Sequence, residues 1–446
     1  MVNRRVVLRS RPAHVPDRDN FDVVEVDVPD PGPGQALVRN LYFSVEPAIR
    51  PRLDGVDTYM PPIGLGEPIQ SPTLGRVVRS NNPDWQEGDI LFGFNNWEDY
   101  TLFSGETLLL EHIRPREGVP LSYYVGPLGG SGGAAHFGLH DVGQLQAGET
   151  VVVSAAAGGV GSVAGQIARI RGCRVVGLVG SAEKAAIVRD KLRFDEVINY
   201  RETPDIAAAV NELCPDGVDL YFDNVGASTL DQMLLCMKMY GRVVCCGMIA
   251  AYNQGDQPPP VHHLWEVVAR QLRMQGFLLL AMTQQGIDDL HEWVGSGELV
   301  VLENVTKGIA NAGEAFSHLM AGNTMGKTLI ELDLPEAAWV RRPPGISTPA
   351  DGRRAQLAAA SPSSSETRVL PVVAPLIRRH SAPAASPRPW LTFSSTTRSP
   401  ERYQLSRSTR ACACRSGYVH TRKPSTRIWR ATTSHMFRIG SRSSLL

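Results

Sequence analysis

The sequence predicts an α/β protein: a doubly wound parallel sheet, joined to a β-rich domain and followed by a basic tail. Three observations carry this expectation. The stretch VSAAAGGVGS, residues 153–162, stands between a valine-rich run and a segment with helical spacing. From about residue 126 short apolar runs alternate with amphipathic segments, the rhythm of strands and crossover helices. Charge is also sharply divided. Residues 334–446 hold 19 Lys and Arg against 4 acids, while residues 1–333 hold 26 against 41, within a chain of zero net charge.

At 446 residues and 43% apolar content the chain is long enough for two cores. The apolar stretches, such as GFLLLAM at 276–282, are too short to span a bilayer. The opening MVNRRVVLRSRP lacks a secretory apolar region. Its arginines could mimic a transit peptide, but RRVVL reads equally as a first strand, and a cytoplasmic location is expected. Seven cysteines show no disulfide spacing. Cys245 and Cys246 are adjacent on an expected strand and face opposite ways. Cys412 and Cys414 lack partners at zinc spacing. Reduced thiols are the simplest reading.

Residues 1–125 contain RRVVL, FDVVEVDV, ALVRNLYFSV, GRVVRS and DILFGF between Gly and Pro punctuation, the pattern of a β-rich domain. TVVVSAA (150–156) then reads as a buried strand and VGSVAGQIARIRG (160–172) as a helix. Val160, Val163, Ile167 and Ile170 share one face of it, and Gly172 suits its stop. CRVVGLVG is a second strand, SAEKAAIVRDKL a helix capped by Ser181, and EVINY a third strand. VDLYFDNVG, LDQMLLCMKMYG, RVVCCGMI and RMQGFLLL continue the alternation to about residue 304. The segment 305–333 closes the compact part with one helix and one strand, completing the first domain. From 334 the composition turns to Ser, Arg, Pro, Thr and Ala without periodicity, which predicts disorder.

The glycine stretch carries the first functional signal. Ala156, Gly158 and Gly161 occupy the three positions of G-x-G-x-x-G, with Gly159 as an extra and Val160 between. Such glycines make a tight turn, admit a pyrophosphate and let helix and strand pack closely. The free N–H groups of the following helix favour an anion there. Without its strand-and-helix setting the same stretch would be only a tight turn. An NAD site would place an acid at the end of the second strand. Here stand Gly180 and Ser181, with Lys184 three residues on, which favours a 2′-phosphate and therefore NADPH. Lys184 could equally be an ordinary surface lysine.

Residues 1 to about 332 resemble the zinc-independent medium-chain dehydrogenase/reductases, in the prostaglandin reductase, leukotriene hydroxydehydrogenase and alkenal double-bond reductase branch. The resemblance is collinear. It runs through RNLYFSVEPAIRPRL, LGEPI, VGQLQAGETVVVSAAAGGVGSVAGQIARIRGCRVVGLVGSAEK, INY, FDNVG, GRVVCCGMIAAYN and MGKTLI. It implies a Rossmann-type domain with a GroES-like substrate domain. It also implies that Gly158, Gly159, Val160 and Gly161 hold the pyrophosphate, and that Lys184 and Tyr200 grip the 2′-phosphate. By the same resemblance Asn224 and the run Cys246, Gly247, Met248, Ile249, Ala250, Ala251 and Tyr252 line the path to the nicotinamide, which Phe277, Leu278 and Leu279 flank. Asn323 stands one place earlier than the usual N-x-GK spacing. A homodimer is implied by analogy.

The zinc-dependent relatives carry a GHE motif and a cysteine cluster. This chain has SPTLGRVV there and no cysteine before Cys173, so no metal is expected. Hydride transfer to an activated alkene then becomes the more natural chemistry. Tyr252 is the candidate hydroxyl donor to the developing enolate, or a group that only orders the cofactor. Tyr59 of DTYMPP matches a position that borders the substrate pocket in relatives, and reads equally as a loop aromatic. Ala134 and His136 stand where relatives carry threonine and tyrosine, and Glu46 and Pro51 where Asp and Gly are common. A prostaglandin substrate therefore does not follow. His136 and His140 are four apart on an expected helix, and helix packing is favoured over a metal pair.

The expected function is NADPH-dependent reduction of an enone or alkenal double bond, a small-molecule substrate. A quinone reductase is the alternative enzyme, and a non-catalytic NADPH-binding protein with an interaction tail the alternative of another class. The tail reads as inert disorder, a mis-joined reading frame or, less favoured, a nucleic-acid contact. No membrane partner is expected.

Overall fold

A computed structural model describes residues 2–55, 58–254, 259–279 and 281–333. The basic tail, including Cys412 and Cys414, lies outside the described residues. Near the start β1 (Val2–Leu8) pairs antiparallel with β2 (Phe21–Asp27). An antiparallel array follows, made of β3 (Ala36–Ser44), β4 (Gln70–Ser80), β5 (Ile90–Asn96), β6 (Tyr100–Phe103) and β7 (Glu111–Ile113).

The parallel sheet contains β8 (Thr150–Val153), β9 (Arg174–Val179), β10 (Glu196–Asn199), β11 (Val218–Asp223), β12 (Met237–Cys245) and β13 (Arg273–Gly276). Its spatial order is β10-β9-β8-β11-β12-β13. The order reverses between β8 and β11, so a crevice opens at the carboxyl ends of these strands. Alternation decides which face each valine serves. Val151 and Val153 pack with Val163, Ile167, Leu290 and Trp293 on one side. Val152 packs with Val210, Leu230 and Leu234 on the other.

The last described residues return to the first sheet. β14 (Glu303–Lys307) and β15 (Lys327–Glu331) pair parallel, and β15 pairs antiparallel with β3. One closing strand was expected where two are present. ENVTK contains a single apolar residue and lies half exposed at an edge, so it carries little periodic signal. Between the two strands the helix Ala312–Met320 inserts Phe316 into the first domain's core. There Trp97 stacks on Phe43 at 4.9 Å and meets Phe316 edge-on at 6.4 Å. Such aromatic pairs add about 0.5–1.5 kcal/mol beyond the area they bury.

Other boundaries differ for local reasons. The first parallel strand ends at Val153, because Ala155 turns the chain at φ +48°. The helix Gly161–Ile170 stops as expected, with Gly172 left-handed at φ +80°. LDQMLLCMKMYG divides: the helix Ala227–Leu234 ends and Met237 opens β12. RMQGFLLL is a strand only to Gly276. The helix expected around His136 is present as Gly130–Phe137, and it packs beside the sheet against Gln284–Ser296, a helix not read from the sequence. The first continues through a π-type turn, Gly138–Val142. No helix among the described residues is long and apolar enough to cross a membrane.

Candidate functional site

The sequence-predicted residues follow the carboxyl ends of the parallel strands. Gly158 to Gly161 follow β8, Lys184 follows β9 and Tyr200 follows β10. Asn224 follows β11, Cys246 to Tyr252 follow β12, and Phe277 to Leu279 follow β13. This is the edge of an open α/β sheet at which ligands bind.

The glycine turn is a cradle that a side chain would fill. A Cβ on Gly161 would collide with the Ala155 carbonyl oxygen. The turn is closed by Gly158 N–H donating to Ala155 O at 2.8 Å. It is also tied to the last strand: Gly326 N–H donates to Ala157 O at 2.7 Å. Gly326 is left-handed at φ +69°, and a Cβ there would collide with the Leu302 carbonyl. Lys327 then covers Gly159, its Cα 3.4 Å and its Cδ 3.5 Å from where a Gly159 Cβ would stand.

At the β9 end Ser181 caps the helix Ala182–Asp190, its Oγ accepting from Lys184 N–H at 3.2 Å. The Tyr200 hydroxyl lies over Gly180, 2.5 Å from a Cβ position. Lys184 Nζ donates to Gly322 O at 2.6 Å. Burial first, then the nearby charge of Arg201, pushes the Lys184 ammonium below its ordinary value. Arg201 was not singled out in the sequence, although it directly follows Tyr200. Glu183, next to Lys184 in sequence, acts the other way, but two cations and a phenol still suit a dianionic phosphate better than a bare ribose diol. Asn323 is exposed and adjoins Gly322, which puts it on the Lys184 side of the turn.

Between β8 and β11 a buried carboxylate fastens the floor. Asp223 Oδ1 accepts from Tyr221 Oη, Ser154 Oγ, Val225 N and Gly226 N at 2.8–3.2 Å. Burial still pushes this carboxyl up, against those four donors. Asn224 Nδ2 donates to Ser154 O at 2.8 Å, so its amide nitrogen is committed to the fold.

The run after β12 folds back on Asn224 and Val225: Ala250 N–H donates to Val225 O at 3.1 Å. The Tyr252 hydroxyl accepts from Met248 N–H at 3.3 Å. Burial pushes the Tyr252 phenol up, with that bond opposing and the charges of Cys246 and Asp223 adding to it. The Cys246 thiol is pushed up to about 12 by burial first, so it is a poor nucleophile here. Tyr59 is 57% exposed, yet its phenol is pushed up to about 12, by burial and then by the charges of Tyr252 and Glu46. With most of the residue in solvent, that shift reports crowding at the hydroxyl. The Tyr59 hydroxyl therefore lies within range of the charges of Tyr252 and Glu46.

Glu46 takes part in a pair that the sequence did not reveal. Lys327 Nζ lies 3.0 Å from Glu46 Oε1, and Ser44 Oγ donates to the same oxygen at 2.7 Å. Burial alone would raise the Glu46 carboxyl, but Lys327 and the two hydrogen bonds together hold it below its ordinary value. On the far side Phe277 packs on Phe137 at 5.5 Å, and Leu279 lies over Gly133. His136 and His140 sit in helix packing, as expected. Among the described residues no group of three or more His, Cys, Asp or Glu is placed to hold a metal ion.

Two family models match this chain. One describes an N-terminal domain of oxidoreductases and covers residues 4–110; the other describes a zinc-binding dehydrogenase and covers residues 159–296. The chain is 37% identical over 338 residues to the NADPH-dependent curcumin reductase of Escherichia coli (strain K12), spanning 74% of this chain and 97% of that protein. The chain belongs to the zinc-independent medium-chain dehydrogenase/reductases. Within this family it is also 36% identical over 336 residues to the NADP(+)-dependent 2-alkenal reductase of Nicotiana tabacum, 74% of this chain and 97% of that one. The crystal structure of CurA from Vibrio vulnificus in complex with NADPH aligns with a TM-score of 0.70 at 32% identity, covering 74% of this chain and all of that one. A zinc-independent member needs no ligand cluster in its first domain.

Proposed function

We propose that this chain reduces the carbon–carbon double bond of small enones or alkenals with NADPH. The observation that carries the reading is the β9 end: Lys184 and Arg201 beside Tyr200, with no acid at Gly180 or Ser181, suited to a 2′-phosphate. Relatives named as NADPH-dependent curcumin reductase and 2-alkenal reductase support it.

The residues present fit the cofactor. Gly161 lets the helix start pack against the Ala155 turn, where a Cβ would collide, so the N–H groups at Gly158 to Gly161 would face a pyrophosphate. Lys184, Arg201, Tyr200 and, beside them, Asn323 would hold the adenosine end. Asn224, Cys246 to Tyr252 and Phe277 to Leu279 would line the path to the nicotinamide. Bound NADPH supplies the hydride for the β-carbon of the alkene. Tyr252 donates a hydrogen bond to the carbonyl oxygen as negative charge gathers there. Its raised pKa keeps that proton in place through the neutral range. Tyr59 borders the substrate. Glu46, neutralised by Lys327, presents no net charge to it. The proton for the α-carbon comes from solvent.

The test is NADPH oxidation by the purified full chain with a panel of small enals, enones and one quinone. Turnover of enals or enones supports the reading. Turnover of the quinone alone makes it a quinone reductase, and tight NADPH binding without any turnover makes it a non-catalytic binder.

We further infer a homodimer. No described strand pairs with the outer edge of β13, and Tyr240 (66%), Trp265 (71%) and Val268 (64%) are exposed apolar residues on neighbouring segments. Light scattering on the eluting protein tests it; a monomer mass overturns it. The free thiols Cys173, Cys214, Cys236, Cys245 and Cys246 suit a reducing, cytoplasmic setting.

A further inference from the structure

We propose that His136 and His140, with Asp289 and Arg171, form a proton-sensitive clasp that positions the Phe277–Leu279 segment, so that the site loosens as His140 takes up a proton. Its functional consequence rests on the reading that this segment flanks the nicotinamide; the clasp itself does not.

The helix Gly130–Phe137 touches the chain after β13 at three successive places. Phe137 packs on Phe277 at 5.5 Å. Gly133 leaves room for Leu279 and Met282, whose Cδ2 and Sδ would stand 2.8 Å and 2.6 Å from a Cβ there. His136 lies against Gly286, in the first turn of the helix Gln284–Ser296. The cavity left between His136, Phe137, Met282 and Gly286 is about 10 Å³, at the lower limit for one water. A shift of the His136 ring is therefore passed on to its neighbours rather than absorbed.

The imidazoles are locked by a network that closes only in one protonation state. His136 Nε2 is 3.1 Å from Asp289 Oδ2, which also accepts from Arg171 Nη2 at 2.6 Å. Gln285 Nε2 donates to Asp289 Oδ1 at 2.6 Å. His140 stacks on His136 with centroids 4.2 Å apart. His140 Nδ1 is 3.0 Å from His136 O, which can only accept, so Nδ1 carries the hydrogen. In the neutral ring Nε2 is then bare, and it accepts from Arg171 Nε–H at 3.2 Å. A second proton on His140 would set two N–H groups against each other and a cation against Arg171.

The charged and titratable groups facing His140 are His136 on its own helix, Arg171 after the helix Gly161–Ile170, and Asp289 on the facing helix. Burial first, then the charge of His136, pushes the His140 imidazole below its ordinary 6.5; its bond to the His136 backbone opposes, Arg171 adds to the fall and Asp289 opposes. A depressed folded value means that stability from neutral His140 is present above 6.5 and is lost as pH falls through the folded value.

Hydrogen exchange of residues 277–289 in the full chain, corrected for intrinsic rates and followed from about pH 7.5 to 5, tests the clasp alongside NADPH titrations. In the wild type, opening should rise by up to about tenfold per pH unit as pH falls from 6.5 toward the folded value and level off below it, with NADPH affinity falling in step. In His140→Gln, which does not titrate, both profiles should stay flat. A parallel rise in the variant, or no rise in the wild type, overturns the proposal. If His140→Gln proves too unstable, Arg171→Gln keeps donors and removes the facing cation; the rise should then be smaller and level off at higher pH, and an unchanged profile overturns the proposal. A wild type that shows the exchange signature but binds no NADPH would refute the cofactor reading and leave the clasp standing.

Discussion

Lys327 Nζ lies 3.0 Å from Glu46 Oε1, while the stem of the same lysine covers Gly159 in the glycine turn. One side chain therefore joins the end of the first sheet to the glycine turn of the second. The Lys327 side chain is 8% exposed and that of Glu46 28%. Lys327→Met keeps the stem and leaves the carboxylate unpaired. It should cost on the order of 2 kcal/mol in denaturant unfolding, less than a fully buried pair because Glu46 partly meets solvent. Adding Glu46→Gln should recover part of that loss. The Glu46 carboxyl is depressed in the fold, so the pair's contribution is present above 4.5 and fades as pH falls through the folded value. Equal stability of Lys327→Met and wild type at neutral pH would refute this coupling.

The phosphate-reading end can be tested by cofactor choice. Lys184→Ala and Arg201→Ala should each weaken NADPH binding about tenfold, or about 1.4 kcal/mol, while leaving NADH binding nearly unchanged. Fluorescence titration with both cofactors measures the ratio. A parallel loss for NADPH and NADH would mean that the pair serves the fold rather than the 2′-phosphate.

Tyr252→Phe removes the hydroxyl that accepts from Met248 N–H. With an enone substrate kcat should fall roughly tenfold to a hundredfold, with NADPH affinity little altered. Because burial raises the wild-type phenol, Tyr252 should impose no pH dependence between about pH 6 and 9. An unchanged kcat with weakened NADPH binding would assign Tyr252 to ordering the cofactor alone.

A chain ending at Asp333 should keep wild-type thermal stability and turnover. The last contacts that the described fold uses are Leu332 N–H to Leu41 O at 2.9 Å and Arg39 Nη2 to Asp333 O at 2.6 Å. Ending the chain before Asp333 should instead destabilise it, by leaving the buried Arg39 one partner short. Parallel melting curves and turnover rates for the two lengths check both statements.

Much of the parallel domain was legible because its signals are local. A run of valines, three small residues in the turn, a serine cap at Ser181 and a left-handed Gly172 each act within a few residues. The strand-and-helix alternation they punctuate leads to the doubly wound order without any long-range information. The edge strand Glu303–Lys307 escaped notice because half-exposed polar residues carry no period.

By itself, then, the sequence determined the fold class, the glycine cradle and the residue types at the carboxyl ends of the strands. Tertiary structure alone decided what those residues meet. Lys327 reaches Glu46 across 281 residues of chain, and His136 reaches Asp289 across 153. Arg201 joins Lys184 only because the ends of β9 and β10 lie side by side. Periodicity reports which face of an element is apolar, but the partner of a polar side chain depends on how distant elements pack. The glycine turn was therefore visible in ten consecutive residues, while the Lys327 side chain over it and the His136–Asp289 contact became visible only in three dimensions.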